Sequence, residues 1–319
     1  MTMESAVPGP LGTPMHDLPV PTQVLTKTGE QIRVRGPLAA YISLTKPRIA
    51  LMVLLTTAVG YWLGARQSAH PISVLLTLLG TACVAGGASV WNQVVERSRD
   101  GLMRRTASRA LPSGEVAPLP ASIFGTVLAV LGICLLLVVQ PLAALVSLIT
   151  FLLYVLVYTP LKPVTTLNTV VGAIPGALPP VIGWAAATGQ MGIEAWVLFL
   201  IVFLWQFPHF LAIAWIYRED YSRGGHRMLP SVDPAGDITG RQATAYALTL
   251  IPCALMPAII GLAGPLYFLG AIAMSLYYTY YAVRFWQEVS DRSARQLLRA
   301  SIIYLPAILL LLVLNPLPA

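Results

Sequence analysis

Nine apolar runs, each long enough to cross a hydrocarbon core about 30 Å thick, constrain this chain of 319 residues more than any other feature. They occupy roughly 48–65, 72–95, 119–139, 141–160, 168–188, 193–216, 242–262, 264–285 and 297–316. With 56% hydrophobic residues, 10% charged residues and a mean hydropathy of +0.73, the composition lies outside that of a soluble domain. The chain is expected to be an all-α membrane protein, a bundle of about nine transmembrane helices. The fifth run carries Gly172, Pro175, Gly176, Pro179, Pro180 and Gly183, and the seventh carries Pro252 and Pro257. A helix broken at membrane depth survives only where its freed backbone groups are buried in protein or line a cavity, so the bundle is expected to surround a central one.

The net charge of +7 does not point to nucleic acid, because the basic residues sit in short segments between the apolar runs. Counting alternate loops, every lysine and arginine except Arg66 falls on one side. The positive-inside rule makes that side cytoplasmic, with the amino terminus inside and the carboxyl terminus outside. Residues 1–40, rich in proline and polar side chains, read as a mobile cytoplasmic tail, and 41–319 as the membrane domain. The tail lacks the apolar core of a signal peptide, and Glu4, Asp17 and Glu30 interrupt any transit-peptide pattern. That favours a bacterial inner membrane over a mitochondrial one. Cys83, Cys134 and Cys253 lie inside apolar runs with no paired spacing, as core residues do.

The second run ends in Asn92, Glu96 and Asp100, four residues apart, followed by Arg104, Arg105 and Arg109. On a continuing helix the three oxygen-bearing side chains share a face, which suits a hard cation such as Mg²⁺ and, through it, a diphosphate. The arginines are then candidates for the phosphate oxygens. A second cluster around Asp220 follows the sixth run, on the same side. Both lie at helix carboxyl ends, where the macrodipole disfavours carboxylates and favours bound cations. The plainer reading, a solvated edge of two membrane helices, stands beside this one. His209, after Pro208 inside the sixth run, is a functional candidate by its depth, although a lone histidine more often caps a neighbouring carbonyl.

Taken together, several motifs resemble the UbiA-type intramembrane prenyltransferases and, within them, the protohaem IX farnesyltransferase (haem O synthase) branch. These are Leu44-Thr45-Lys46-Pro47-Arg48, the Asn92/Glu96/Asp100 run, Tyr158-Thr159-Pro160-Leu161-Lys162, Gly176-Ala177-Leu178-Pro179-Pro180, Trp205-Gln206-Phe207-Pro208-His209-Phe210, and Asp220-Tyr221 through Met228-Leu229-Pro230. The chain departs from the pattern at Glu96 and Ser98, where aspartates are usual, and at Arg227, where proline is common.

The resemblance implies transfer of a farnesyl group from farnesyl diphosphate to a vinyl group of haem B. Asn92, Glu96, Asp100 and Asp220 would hold Mg²⁺, and Lys162 with Arg104, Arg105 and Arg109 would stabilise the departing diphosphate. Tyr158 would face the allylic cation, His209 would orient the macrocycle, and Arg218 or Arg223 would take a propionate. The implied partners are the lipid bilayer and a haem A synthase or oxidase-assembly protein. The rival readings are a prenyltransferase with a phenolic or chlorin acceptor, and a transporter, which would place charges at mid-span.

Overall fold

The computed structural model describes residues 36–66 and 68–317, together with the backbone of a short antiparallel pair, β1 (Gln23–Leu25) and β2 (Gln31–Arg33). The remainder of the amino-terminal segment, including most of what the sequence assigns to a tail, lies outside the described residues. Helix α1 (Pro37–Leu44) runs across the boundary placed at residue 40.

The spanning elements follow in order: α2 (Pro47–Ala65), α3 (Pro71–Asp100), α4 (Pro118–Val139) and α5 (Pro141–Leu152). After α5, π-helical turns (Leu153–Tyr158) lead into α6 (Thr159–Leu161). Then come α7 (Asn168–Ala177), α8 (Pro179–Thr188), α9 (Ile193–Ile216), α10 (Arg218–Arg223), α11 (Leu229–Val232), α12 (Asp237–Ile259), α13 (Pro265–Gln287) and α14 (Asp291–Leu314). Proline stands in the first turn of α2, α3, α4, α5 and α13, where its missing N–H is no loss and its fixed φ suits the helix. Among the described residues, nine stretches are long and apolar enough to cross a membrane, with α5 to α6 counting as one and α7 with α8 as another. Multi-pass insertion follows from them.

The fifth span is broken between α7 and α8 at Leu178, because Pro179 and Pro180 cannot continue the ladder. It sits in the interior, with Ala173, Ala177, Val181 and Ala185 wholly buried. The twelfth helix behaves otherwise: α12 stays a single helix through Pro252 and Pro257. In lipid, close backbone approach does the work that water exclusion does elsewhere. At the α2–α8 crossing a methyl group on Gly60 would land on the Pro180 carbonyl, and one on Gly183 would land on the Thr57 carbonyl. Only glycine fits at either point. At the far end, the Gly264 amide donates to the Asn315 carbonyl at 2.8 Å and the Tyr267 amide to Asn315 Oδ1 at 3.1 Å, tying the end of α14 to the α12–α13 turn.

Candidate active site

No proline or glycine interrupts the run from Asn92 to Asp100, so α3 continues through it and the three polar side chains stack along one face. That face is turned inward: Asn92, Glu96 and Asp100 are 1%, 4% and 1% exposed. Carboxylates so far from water require cations. Lys162 Nζ lies 2.7 Å from Glu96 Oε1, an ion pair whose angle leaves that oxygen without a well-directed hydrogen bond. Arg109 Nη1 donates to Asp100 Oδ2 at 2.7 Å. Lys46 Nζ donates to Asn92 Oδ1 at 2.9 Å, and Asn92 Nδ2 to Thr159 Oγ1 at 3.2 Å.

Two irregular pieces of backbone deliver these lysines. Leu153–Tyr158 takes the π form, with the Thr159 hydroxyl donating to the Tyr154 carbonyl at 2.8 Å. Such turns are rare and concentrate at functional sites. Just beyond, the Lys162 ammonium sits over the Tyr158 ring, 4.7 Å from its centroid. Lys46, between α1 and α2, adopts the left-handed conformation with φ 50° and ψ 63°, a state that costs a side-chain-bearing residue on the order of 1 kcal/mol. The strained turn reverses the chain and brings the Lys46 amine to Asn92.

The second acidic cluster reaches the same place. Asp220 accepts from the backbone amides of Arg104 at 3.3 Å and Arg105 at 3.2 Å, and pairs with Arg223. The loop after α3 and the loop after α9 are thereby one unit. The Arg227 amide donates to the Lys162 carbonyl at 2.8 Å, linking the loop before α11 to the end of α6.

The electrostatics are those of a crowded cationic pocket around buried acids. Burial, then the charges of Arg109 and Lys162, push the Lys46 amine down to about 7 against the pull of Glu96 and Asp100. Burial works against charge on Lys162 too, but the Tyr158 phenol, Glu96 and Tyr154 outweigh it and hold its amine above the ordinary lysine value. At Asp220 burial raises the carboxyl while Arg223 and the amides of Arg105 and Arg104 bring it below the usual range. His226, 3% exposed and with no partner at Nδ1, is lowered by burial first.

Asn92, Glu96, Asp100, Tyr158, Lys162, Arg109, Asp220 and Arg223 thus share one end of the bundle. Arg104 and Arg105 belong to it through their backbones, while the Arg105 guanidinium lies over the Tyr217 and Tyr221 rings at 5.0 and 5.7 Å. Arg218 is directed elsewhere, donating to Asp291 Oδ1 at 2.7 Å and lying over the Trp215 ring. His209 is inside the bundle, with Nδ1 2.7 Å from Ser301 Oγ. Sequence reading missed two members of the site. Lys46 was legible only as part of a motif, and His226 carried a weak signal, a histidine after Gly224-Gly225 in the loop that follows Asp220.

Four oxygen donors at one end suit a hard dication by their chemistry. As they stand, each carboxylate is taken by a basic side chain, and among the described residues no three His, Cys, Asp or Glu side chains come together closely enough to hold a metal ion.

Fold and site together define an intramembrane prenyltransferase, and the chain belongs to the UbiA prenyltransferase family, whose profile matches residues 53–315. It is 45% identical over 285 residues to the protoheme IX farnesyltransferase of Solibacter usitatus (strain Ellin6076), covering 86% of this chain and 98% of that one. It is 40% identical over 276 residues to the protein of the same name from Salinibacter ruber, covering 86% and 98%. Among solved structures, a digeranylgeranylglyceryl phosphate synthase superposes with a TM-score of 0.74 at 19% identity, covering 88% of this chain and 98% of that one. A UbiA homologue from Archaeoglobus fulgidus bound to GPP and Mg²⁺ superposes with a TM-score of 0.65 at 18% identity, covering 86% and 99%.

Proposed function

We propose that this chain transfers the farnesyl group of farnesyl diphosphate to a vinyl group of haem B, giving haem O, at the cytoplasmic face of a bacterial inner membrane. The carrying observation is the meeting of Asn92, Glu96, Asp100, Lys162 and Asp220 at one end of a UbiA-family bundle whose curated relatives bear that activity in their names. Charged side chains confined to helix ends, with none at mid-span among the described residues, speak against a carrier.

The diphosphate head is bound where Lys46, Lys162 and Arg109 already crowd their cationic groups. Asn92, Glu96, Asp100 and Asp220 would hold Mg²⁺ there, which when bound neutralises charge on the departing diphosphate. Displacing Lys162 from Glu96 and Arg109 from Asp100 frees carboxylates for the ion and cations for the phosphate oxygens. The allylic C–O bond then breaks with its electron pair leaving on the diphosphate. Tyr158 and Tyr154, ring centroids 5.2 Å apart, face the developing allylic cation and stabilise it through their π clouds. The vinyl π pair forms the new C–C bond, water adds to the cation left beside the macrocycle, and its proton is lost to solvent. His209 contacts the haem, and Arg223 is the candidate for a propionate.

Purified protein in detergent, given farnesyl diphosphate, haem B and Mg²⁺, should form haem O detectable by mass spectrometry, and chelation of the metal should stop it. Consumption of farnesyl diphosphate with a phenolic acceptor, and none with haem B, would overturn the reading.

A further inference from the structure

The geometry points to Ser301 as a positioning residue for the haem acceptor: it fixes His209 as the Nδ1–H tautomer and leaves Nε2 as the axial donor to the iron. This deepens the reading above and rests on it.

Ser301 lies on α14, wholly buried, and its Oγ is 2.6 Å from the Leu298 carbonyl and 2.7 Å from His209 Nδ1, with the Tyr278 hydroxyl as a third, looser neighbour. A carbonyl oxygen carries no proton, so two oxygens approach to 2.6 Å only with the hydroxyl hydrogen between them. The hydroxyl has one hydrogen, and it is spent on Leu298. Toward His209 the Ser301 oxygen can therefore only accept, and Nδ1 must donate. A neutral imidazole with its proton on Nδ1 carries its lone pair on Nε2.

The surroundings hold the ring in that state. Trp205, one turn earlier on α9, stacks on His209 with centroids 5.1 Å apart and planes 27° apart. Its indole Nε1 donates to the Ser301 backbone carbonyl at 2.9 Å, so the serine carbonyl is taken and the hydroxyl is what remains for the histidine. The Tyr278 hydroxyl in turn donates to the Trp205 carbonyl at 3.0 Å. Nε2 of His209, by contrast, has no protein partner among the described residues, and His209 is only half-buried. A histidine kept for packing would be expected to spend both nitrogens; one oriented through Nδ1–H and open at Nε2 has the arrangement of a metal-ligating imidazole with its outer partner in place. The neutral serine acceptor, where a carboxylate would serve as well geometrically, keeps the imidazole from gaining anionic character.

The test uses the full chain in detergent with haem B and, as a probe lacking iron, protoporphyrin IX. Resonance Raman spectra of the ferrous complex should show an iron–imidazole stretching band that His209→Ala abolishes. Ser301→Ala should shift that band and weaken haem B binding by about tenfold, the low end for loss of an outer partner, with affinity for farnesyl diphosphate and for protoporphyrin IX unchanged. Ser301→Thr, which keeps the hydroxyl, should restore both. Ser301→Cys serves if the alanine variant does not fold: its sulfur is a weak acceptor, and the band should again shift. A wild-type band and affinity in Ser301→Ala or Ser301→Cys would overturn the role of Ser301 while leaving His209 as ligand. Absence of any iron–imidazole band in the wild-type complex would overturn the axial assignment altogether. Failure to bind haem B at all would instead sink the proposed function.

Discussion

Lys162 and Glu96 show how much at this site depends on single residues. Their side chains are 14% and 6% exposed, so removing one partner strands the other's charge away from water. Lys162→Met should lower stability by about 3 kcal/mol and abolish turnover. The double variant with Glu96→Gln should recover much of the stability and none of the activity, which thermal unfolding in detergent and a haem O assay would separate. Asp100 argues similarly. On a solvated helix edge, truncation to alanine would be harmless to the fold, but Asp100 is 1% exposed and bonded to Arg109. Asp100→Asn, which retains an acceptor of the same shape, is the cleaner probe and should lose at least about 100-fold in turnover, in line with removal of transition-state electrostatics. Arg105→Ala should do little by comparison, since the Asp220 bond uses the Arg105 amide and only the stacking on Tyr217 and Tyr221 is lost, about 1 kcal/mol.

At the scale of elements, the crossing of α2 and α8 is the contact least able to yield. Gly183 faces the Thr57 carbonyl, a backbone atom that cannot rotate away as a side chain could. Gly183→Val should therefore cost more than an ordinary overpacked core site, upwards of about 3 kcal/mol, and lower the unfolding temperature while moving Lys46 at the start of α2. Gly114, at a positive φ with open space around it, offers the contrast: a substitution there meets backbone strain and no steric collision. The π turns ending at Tyr158 and the left-handed Lys46 are further places where local regularity is given up, and both bring a lysine to the face of α3.

For the whole molecule, nine spans place the loop after α3 and the loop after α9 on one side and the α8–α9 turn on the other. In a variant whose three cysteines, Cys83, Cys134 and Cys253, are replaced, a cysteine at Ser113 should react with an impermeant thiol reagent in inverted membrane vesicles and be protected in right-side-out ones. One at Gln190 should behave oppositely. The reverse pattern would invert the orientation drawn from the basic loops and move the diphosphate site to the outer face.

Periodicity and the cost of lipid are what can be read from the chain alone. Apolar runs of spanning length prescribe the helices, paired prolines break the fifth span, and a four-residue spacing without a breaker puts Asn92, Glu96 and Asp100 on one face. These are local rules, satisfied within a few turns of chain. The partners are another matter. Lys46 meets Asn92 across 46 positions, Asp220 meets the Arg104 amide across 116, and His209 meets Ser301 across 92. No spacing in the sequence encodes such distances, because they depend on how the helices pack and on where the backbone departs from the ideal helix. It is the packing that buries and ion-pairs the acids, turns the Arg104 and Arg105 amides toward Asp220, and sets a serine of the last helix against the histidine.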